Sequence, residues 1–270
     1  RDDRQFTALS GDVAAKMRAE DLKAYSGLLR QEPNKAFRHE AVALLYLQGG
    51  DADKAVAHFR DAIRLDSSVA ATHYNLGLAL TGQRKLDEAI GAFRKAVQLD
   101  PQHADAENNL GALLQATAHF DEAVPHYRRA LELKPENAEA HDNLARILSA
   151  RGERTEAVRH FRTAMQLRQD WASPMAGLAW LYGTAPAAKK EEVAEAVTLG
   201  ERAAKLTTEK DPAVLDALAA AYAAAGQFDR AVATARQAVD VANSARLQAF
   251  AGEIRERQSL YESRRPSRIQ

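Results

Sequence analysis

The sequence of 270 residues has no cysteine and no net charge. Without cysteine, disulfides, thiol catalysis and cysteine-ligated zinc are excluded. The 37 basic and 37 acidic residues cancel, so no overall field attracts nucleic acid or an anionic membrane. No segment approaches the roughly 18 consecutive apolar residues of a membrane-spanning helix. We therefore predict a protein that does not bind nucleic acid and does not insert into a membrane.

Glycine and proline are also scarce, with 14 and 8 residues. Helix-forming Ala, Leu, Glu, Lys and Arg are abundant, which favours helix throughout. No glycine-rich phosphate loop, GxSxG elbow or HExxH motif occurs. Acidic pairs such as Asp87-Glu88 and Asp121-Glu122 fit the N-terminal turn of a helix, where negative charge is favourable. We therefore predict no enzyme activity and no cofactor.

An apolar pattern of helical period recurs every 34 residues. The best example, residues 70–101, contains two amphipathic segments separated by Gly82-Gln83-Arg84-Lys85, and Pro101 ends the second. Units at 36–67, 104–135 and 138–169 keep the same small and large positions. Each unit predicts a helical hairpin whose apolar face is left open, so neighbouring units must stack on it.

This period resembles the tetratricopeptide repeat, because Leu-Gly/Ala, Leu/Tyr, Ala, Phe/Tyr, Ala and a closing Pro follow in that order. The resemblance implies an all-α fold: a right-handed α-α superhelical solenoid of helix pairs with a C-terminal capping helix. The first helix of each pair would line a concave groove. We expect five regions: a degenerate N-terminal repeat or cap (1–35), four regular repeats (36–169), two divergent repeats (170–242, with an insertion near 183–192), the capping helix (243–262) and a basic tail (263–270).

Several positions predict local departures from the regular pattern. Tyr25 and Leu28 are expected to be core residues of the N-terminal region. Pro125 predicts a late start or a kink in its helix. Gly200 replaces the usual aromatic residue, so looser packing is expected there. In the capping helix, Leu247, Phe250, Ile254 and Leu260 mark the expected apolar side. The tail is expected to be disordered.

Two further resemblances concern the source of the chain. Lys16 to Arg30 resembles the linker that follows copper type II monooxygenase-like domains in exported bacterial proteins, and the segments around Trp180 and Asp211 look like the end of bacterial tetratricopeptide proteins. They imply a bacterial origin and favour export to the periplasm or beyond over a cytoplasmic location. Because the sequence starts at Arg1, we expect a removed leader or a piece of a longer protein.

Asparagines recur at Asn75, Asn109 and Asn143, each just before the Leu-Gly/Ala step. An amide both donates and accepts hydrogen bonds, so such a row could hold the backbone of an extended peptide. It resembles the asparagine ladder of O-GlcNAc transferase. The alternative is that these residues stabilise the adjacent helix. The row stops where Ala41, Gly177 and Ala217 take its position.

The neighbouring groove positions are more acidic than basic, and the two-lysine, two-asparagine clamp of chaperone-binding relatives is absent. A neutral or mildly basic peptide is therefore the expected partner, and nucleic acid is not. The candidate groove residues are Tyr74, Asn75, Asp105, Asn108, Asn109, Asp142, Asn143, Arg146 and Trp180.

The histidines predict no metal site when equivalent positions are compared. His58, His126 and His160 share one position of the repeat, and His73 and His141 share another. Successive units are separated by a helix pair, so equivalent rings do not approach to the bond distances of zinc, about 2 Å.

Three functions remain open from the sequence. The first is a non-catalytic protein–protein interaction scaffold that binds an extended or helical segment in the concave groove. The second is a self-assembling repeat protein that forms homo-oligomers, rings or filaments. The third is the accessory repeat region of a larger exported enzyme.

Overall fold

The computed structural model describes the backbone of residues 2–268 and the side chains of residues 15–268. Over this range the chain forms fourteen α-helices and no strand. It divides into two units, Arg1–Pro135 and Glu136–Gln270. The first unit contains α1 (Asp2–Gln31), α2 (Ala36–Gln48), α3 (Ala52–Leu65), α4 (Ala70–Gly82), α5 (Leu86–Leu99), α6 (Ala104–Ala116) and α7 (Phe120–Leu133). The second contains α8 (Ala138–Ala150), α9 (Arg154–Leu167), α10 (Ala172–Gly183), α11 (Lys190–Leu206), α12 (Pro212–Ala224), α13 (Phe228–Ser244) and α14 (Gln248–Glu262).

The hairpin α4–α5 shows how the repeat closes. Phe93 on α5 is 1% exposed, and its ring lies against Gly77 of α4. A β-carbon at Gly77 would be 2.7 Å from Phe93 Cε1, so only glycine admits the ring. Gly111 receives Tyr127 in the next hairpin in the same way, at 3.1 Å. A glycine on the first helix and an aromatic residue on the second therefore pack each of these two hairpins.

The N-terminal region differs from the sequence-based expectation. Helix α1 runs unbroken from Asp2 to Gln31 and packs against α2. Tyr25 and Leu28 are 39% and 43% exposed, so their assignment to the core is wrong. The reason is that, among the described residues, the helix that packs substantially against α1 is α2, which covers one side of it.

Helix α7 begins at Phe120 and contains Pro125. Its start is in register with Leu86 of α5, so the expected late start is wrong. Pro125 removes one backbone donor from the helix. The helix nevertheless continues to Leu133, and Tyr127 is fully buried beside the proline.

In the second unit, the expected loose packing around Gly200 is also wrong. Gly200 is buried on α11, and a β-carbon there would lie 3.0 Å from Leu218 Cδ1 and 3.2 Å from Leu218 Cα. At this position, which has no aromatic ring, Leu218 of α12 lies directly against α11.

The C-terminal helix α14 buries Ile254 and Tyr261 completely. Leu247 is 47% exposed because it precedes the helix, so its place on the apolar side is wrong. The tail is not disordered as far as residue 268: Ser267 is buried, and an Arg268 guanidinium nitrogen donates to the Ala185 carbonyl. Residues 269 and 270 of the predicted tail lie outside the described residues. Of the helices described here, none combines the length and the apolar character that a membrane crossing requires.

Candidate functional site

All nine predicted groove residues lie on first helices of hairpins. Those of the first unit are on α4 and α6: Tyr74, Asn75, Asp105, Asn108 and Asn109. Those of the second unit are on α8 and α10: Asp142, Asn143, Arg146 and Trp180.

In the first unit, Asn109 is used inside the protein. Its Nδ2 donates to the Tyr74 hydroxyl at 3.3 Å, which joins α6 to α4. The Tyr74 ring also lies 4.5 Å from the His103 ring, and burial raises the pKa of Tyr74. At this position, the contact to the adjacent helix that we considered as the alternative to a ladder is present.

Two other predicted residues of α6 have contrasting surroundings. Asn108 is 8% exposed and therefore belongs to the interior. Its Nδ2 is 3.5 Å from Asn109 Oδ1. Asp105 is exposed, and its carboxylate lies 3.6 Å from Lys134 Nζ. Asp105 is therefore accessible to a ligand on this surface, whereas Asn108 is not.

Asn75 and Asn143 are half-buried. In the part of the chain that the structure describes, neither side-chain amide has a hydrogen-bond partner. Each amide is therefore free to bind a ligand, in contrast to Asn109. The three members of the predicted row are not equivalent.

The second unit contains a cavity of about 480 Å³, a size typical of ligand pockets. Two predicted residues, Arg146 and Trp180, lie in its wall. Its apolar lining comes from five elements, α8, α9, α10, α12 and α14, and comprises Ala150, Phe161, Ala176, Gly177, Trp180, Ala213, Ala217 and Phe250. Its polar lining comprises Arg146, Ser149, Asp216, Glu253 and Arg257.

The charge on this wall is largely compensated. Arg257 donates from Nε and Nη2 to the two carboxylate oxygens of Asp216, at 3.0 and 2.8 Å. Its guanidinium also lies 5.2 Å from the centre of the Trp180 ring. Asp216 is 3% exposed. Burial raises the pKa of Asp216, and Arg257 opposes that effect.

Arg146 also has a carboxylate counterpart. Burial raises the pKa of Asp142, while the Ser173 hydroxyl and the charge of Arg146 act in the opposite direction. Asp142 is 3% exposed and accepts a hydrogen bond from Ser173 Oγ at 2.7 Å. Asp142 is therefore buried and does not lie on the surface of the groove.

Sequence reasoning did not include Arg257 among the candidate groove residues. The available signal was Asp216, a charged residue within an apolar segment of α12, because its charge needs a positively charged partner. The pairing is between residues 41 positions apart, so no local pattern reveals it.

Gly177 explains why the asparagine row ends in the second unit. A β-carbon at this position would lie 2.5 Å from Phe161 Cε1 and Cζ. The ring of Phe161 therefore occupies the space that an asparagine would need. Glycine leaves room between Phe161 and Trp180, and this room is part of the cavity.

Sequence reasoning also missed contacts between histidine positions within one hairpin. His39 Nδ1 lies 3.2 Å from His58 Nδ1, and His141 Nδ1 lies 2.6 Å from His160 Nδ1. Residues 19 positions apart therefore meet across a hairpin. Comparing only equivalent positions between units could not find these pairs; the 19-residue spacing was the available signal.

Four family models described as tetratricopeptide repeat match residues 41–104, 104–137, 138–170 and 214–249. Together they cover more than half of the chain. The chain belongs to the tetratricopeptide repeat family. The predicted family and all-α fold class are thereby confirmed. A comparison with curated proteins gave no match.

Solved structures of similar fold include MamA, YrrB and PilF. MamA is 26% identical, with a TM-score of 0.52, over 55% of this chain and 86% of MamA. YrrB, described as a tetratricopeptide protein with an unusual peptide-binding site, is 23% identical, with a TM-score of 0.60, over 69% of this chain and 94% of YrrB. PilF of Pseudomonas aeruginosa is 22% identical, with a TM-score of 0.61, over 87% of this chain and 99% of PilF.

Tetratricopeptide proteins are generally scaffolds for protein interactions rather than enzymes. Family membership therefore supports a general role of this chain as a protein-interaction scaffold. Family membership does not identify which surface binds the partner or what the ligand is.

Proposed function

We propose that the chain is a non-catalytic scaffold that binds a peptide segment of a partner protein in the cavity of its second unit. The observation that carries this proposal is the apolar recess between Phe161, Trp180 and Phe250, bordered by charged groups. Its volume of about 480 Å³ accommodates one or two large apolar side chains of a peptide. Such anchors supply most of the binding energy in peptide recognition.

The charge of the wall favours a neutral or mildly basic segment. Asp216 compensates Arg257, and the charge of Arg146 acts on Asp142. Glu253 is exposed at the cavity and adds a negative charge to this otherwise balanced set. A basic residue beside the apolar anchor would therefore be attracted to this wall, and an acidic one would be repelled.

Asn143 is suited to hold the peptide backbone. It precedes Arg146 by three residues on α8, which places both on the same side of the helix. An amide at this position can donate to a peptide carbonyl and accept from a peptide N–H. We assign the ladder role in this unit to Asn143 and a structural role in the first unit to Asn109.

The test begins with peptides selected from a random displayed library on the purified full chain. We expect the selected peptides to share an apolar anchor next to a neutral or basic residue. Changing Trp180→Ala, or filling the cavity with Ala213→Phe, should lower their affinity at least about tenfold, which corresponds to about 1.4 kcal/mol. Ala213 is exposed, so this second variant leaves the core intact.

Matched asparagine variants test the backbone contact. Asn143→Ala should weaken binding by about 0.5–1.5 kcal/mol, the usual contribution of one hydrogen bond, while Asn109→Ala should leave binding unchanged and lower stability. Selection of acidic peptides, or full affinity in both cavity variants, would refute the proposed site.

A second candidate function, self-association, is favoured by the surface of α1. Met17, Tyr25 and Leu28 are 61%, 39% and 43% exposed. They lie within about 80° of one another around the helix, so α1 carries a one-sided apolar surface. Self-association is measured by light scattering at increasing protein concentration. The unmodified chain is compared with a variant in which all three residues are changed to Gln. A monomer at every concentration would argue against it.

A further inference from the structure

A cluster of three potential metal ligands lies between α2 and α3 in the first unit. His39 Nδ1 is 3.2 Å from His58 Nδ1 and 3.8 Å from Asp61 Oδ2. One ligand atom from each of these residues lies within 4.8 Å of the other two. In a tetrahedral zinc site with bonds of about 2.0–2.1 Å, ligand atoms are about 3.3 Å apart. The cluster is therefore close to the dimensions of such a site.

The hydrogen bond of His39 indicates which of its two ring nitrogens carries the hydrogen in the neutral ring. Its Nε2 lies 3.0 Å from the Pro33 carbonyl oxygen, which can only accept, so Nε2 carries the proton. In the neutral ring, Nδ1 then presents its lone pair towards His58. Histidines that bind metals typically donate their second N–H to a carbonyl or carboxylate in this way.

His58 and Asp61 are held in place by other neighbours. The ring of His58 stacks on Tyr46, with centres 5.7 Å apart and planes at 12°. Asp61 lies three residues after His58, on the same side of α3. Its Oδ1 accepts from Arg64 at 3.0 Å, and its Oδ2 faces His39.

We propose that His39, His58 and Asp61 form a binding site for a divalent transition-metal ion, with zinc as its expected occupant. Two imidazoles and one carboxylate are a ligand set that zinc accepts, and three protein ligands leave a fourth coordination position open. That position would take water or a donor group from a bound partner.

The same protein contains two comparable arrangements that lack this geometry. In the pair His141 and His160, the Nδ1 atoms are only 2.6 Å apart, which is too close for two ligands of one zinc ion. The nearby carboxylate, Glu156, lies 3.6 Å from Nε2 of His160, on the other side of the ring. Arg159 also lies 3.2 Å from this Nε2 and places a positive charge there.

The second comparable position is His73. It makes the same contact as His39, since its Nε2 lies 3.1 Å from the Ser67 carbonyl oxygen. However, Ala92 stands where the hairpin of His39 has His58. His73 is therefore a control with the same local structure and no second imidazole.

The proposal is tested by calorimetric titration of the untagged, chelator-treated full chain with zinc chloride at neutral pH. We expect one strong site per chain. Replacing a metal-supporting residue outside the first coordination shell typically costs about 10–100-fold in affinity, and loss of a ligand should cost at least as much. His58→Ala and Asp61→Asn should therefore weaken zinc binding by about 10-fold or more, whereas His73→Asn and His160→Asn should bind like the unmodified chain.

Two further measurements keep the outcome decisive. Circular dichroism establishes that each variant is folded. If His58→Ala does not fold, Asp61→Asn serves instead, because it retains the shape of a half-buried side chain. Cobalt(II) absorption should show the intense bands of a tetrahedral site, and these should be lost in Asp61→Asn. The proposal is overturned by absence of a strong site, by unchanged affinity in Asp61→Asn, or by an equal loss in His73→Asn. Displacement of zinc by magnesium at similar concentration would also contradict it, because magnesium prefers oxygen ligands.

Discussion

The two units achieve tight helix packing with different arrangements of large and small residues. In the first unit, glycines on α4 and α6 receive the aromatic residue of the same hairpin, as Gly77 receives Phe93. In the second unit, Gly177 of α10 receives Phe161 of the preceding hairpin, and Gly200 of α11 receives Leu218 of the following helix. A close contact at a glycine is thus found in both units, although the residue that supplies it changes.

The units also differ in their buried charge. In the second unit, burial raises the pKa of two carboxyl groups, Asp142 and Asp216, and lowers the pKa of His160. This unit also contains the cavity that Trp180 and Arg146 line. Irregular packing in the second unit thus coincides with two buried carboxyl groups whose pKa is raised by burial and with a recess that can take a ligand.

The largest expected effect concerns the regular arrangement in the first unit. Phe93→Ala removes the ring that fills the hairpin against Gly77, so we expect the free energy of unfolding to fall by about 3–5 kcal/mol. Urea denaturation followed by circular dichroism measures the change. A loss below about 1 kcal/mol would mean that the hairpin does not depend on this aromatic residue.

The second prediction uses the buried histidine of the second unit. Burial first, and then the charges of Arg159 and His141, lower the pKa of His160 from 6.5 to about 4. The unfolded chain therefore binds a proton at this group near pH 6.5, whereas the folded chain does so only near pH 4. Folding stability should thus fall as the pH decreases through this window, by up to about 1.4 kcal/mol per pH unit.

Denaturation of the full chain at several pH values, compared with His160→Asn, tests this linkage. The variant should show a smaller slope between pH 6.5 and pH 4. Arg159→Gln removes one of the charges that disfavour protonation and should also reduce the slope. Identical slopes in all three proteins would contradict a buried neutral His160.

The smallest effect compares two helical glycines. At Gly200 a β-carbon meets Leu218, including its Cα at 3.2 Å. Gly200→Ala should therefore overpack α11 against α12 at a cost of about 1–3 kcal/mol, more than the gain of about 0.5–1 kcal/mol in helix propensity. Net destabilisation of roughly 1 kcal/mol is expected.

Gly91 provides the control, because a β-carbon there meets nothing within 4 Å. Gly91→Ala should raise the free energy of unfolding by about 0.5–1 kcal/mol. The two substitutions are chemically identical, so opposite signs in urea denaturation would establish the close approach at Gly200. Stabilisation by both would show that α11 is loosely packed after all.

Sequence reasoning was effective where a residue acts within the repeat. Leu110 and Leu144 occupy one position of the repeat and Ala123 occupies another, and all three are fully buried. It failed for Tyr25 and Leu28, whose spacing alone suggested a core. A pattern shows which side of a helix is apolar, but the number of neighbouring helices decides whether that side is covered.

The candidate site was predicted in part. Tyr74, Asn75 and Trp180 were placed on first helices by the repeat register, and the structure has them there. Their contacts were beyond prediction: Asn109 binds Tyr74, and Arg257 joins Trp180 and Asp216. These contacts depend on which side chains from distant helices meet, and the register does not contain that information.

By itself, the sequence determined the helical hairpins, their 34-residue register and the repeat family, because helical period and the alternation of small and large residues are local properties. Only the tertiary structure decided that Phe161 excludes an asparagine at position 177, that Arg257 neutralises Asp216, and that His39 meets His58 and Asp61. These outcomes rest on distances of a few ångströms between helices, and packing, burial and hydrogen bonding set such distances together.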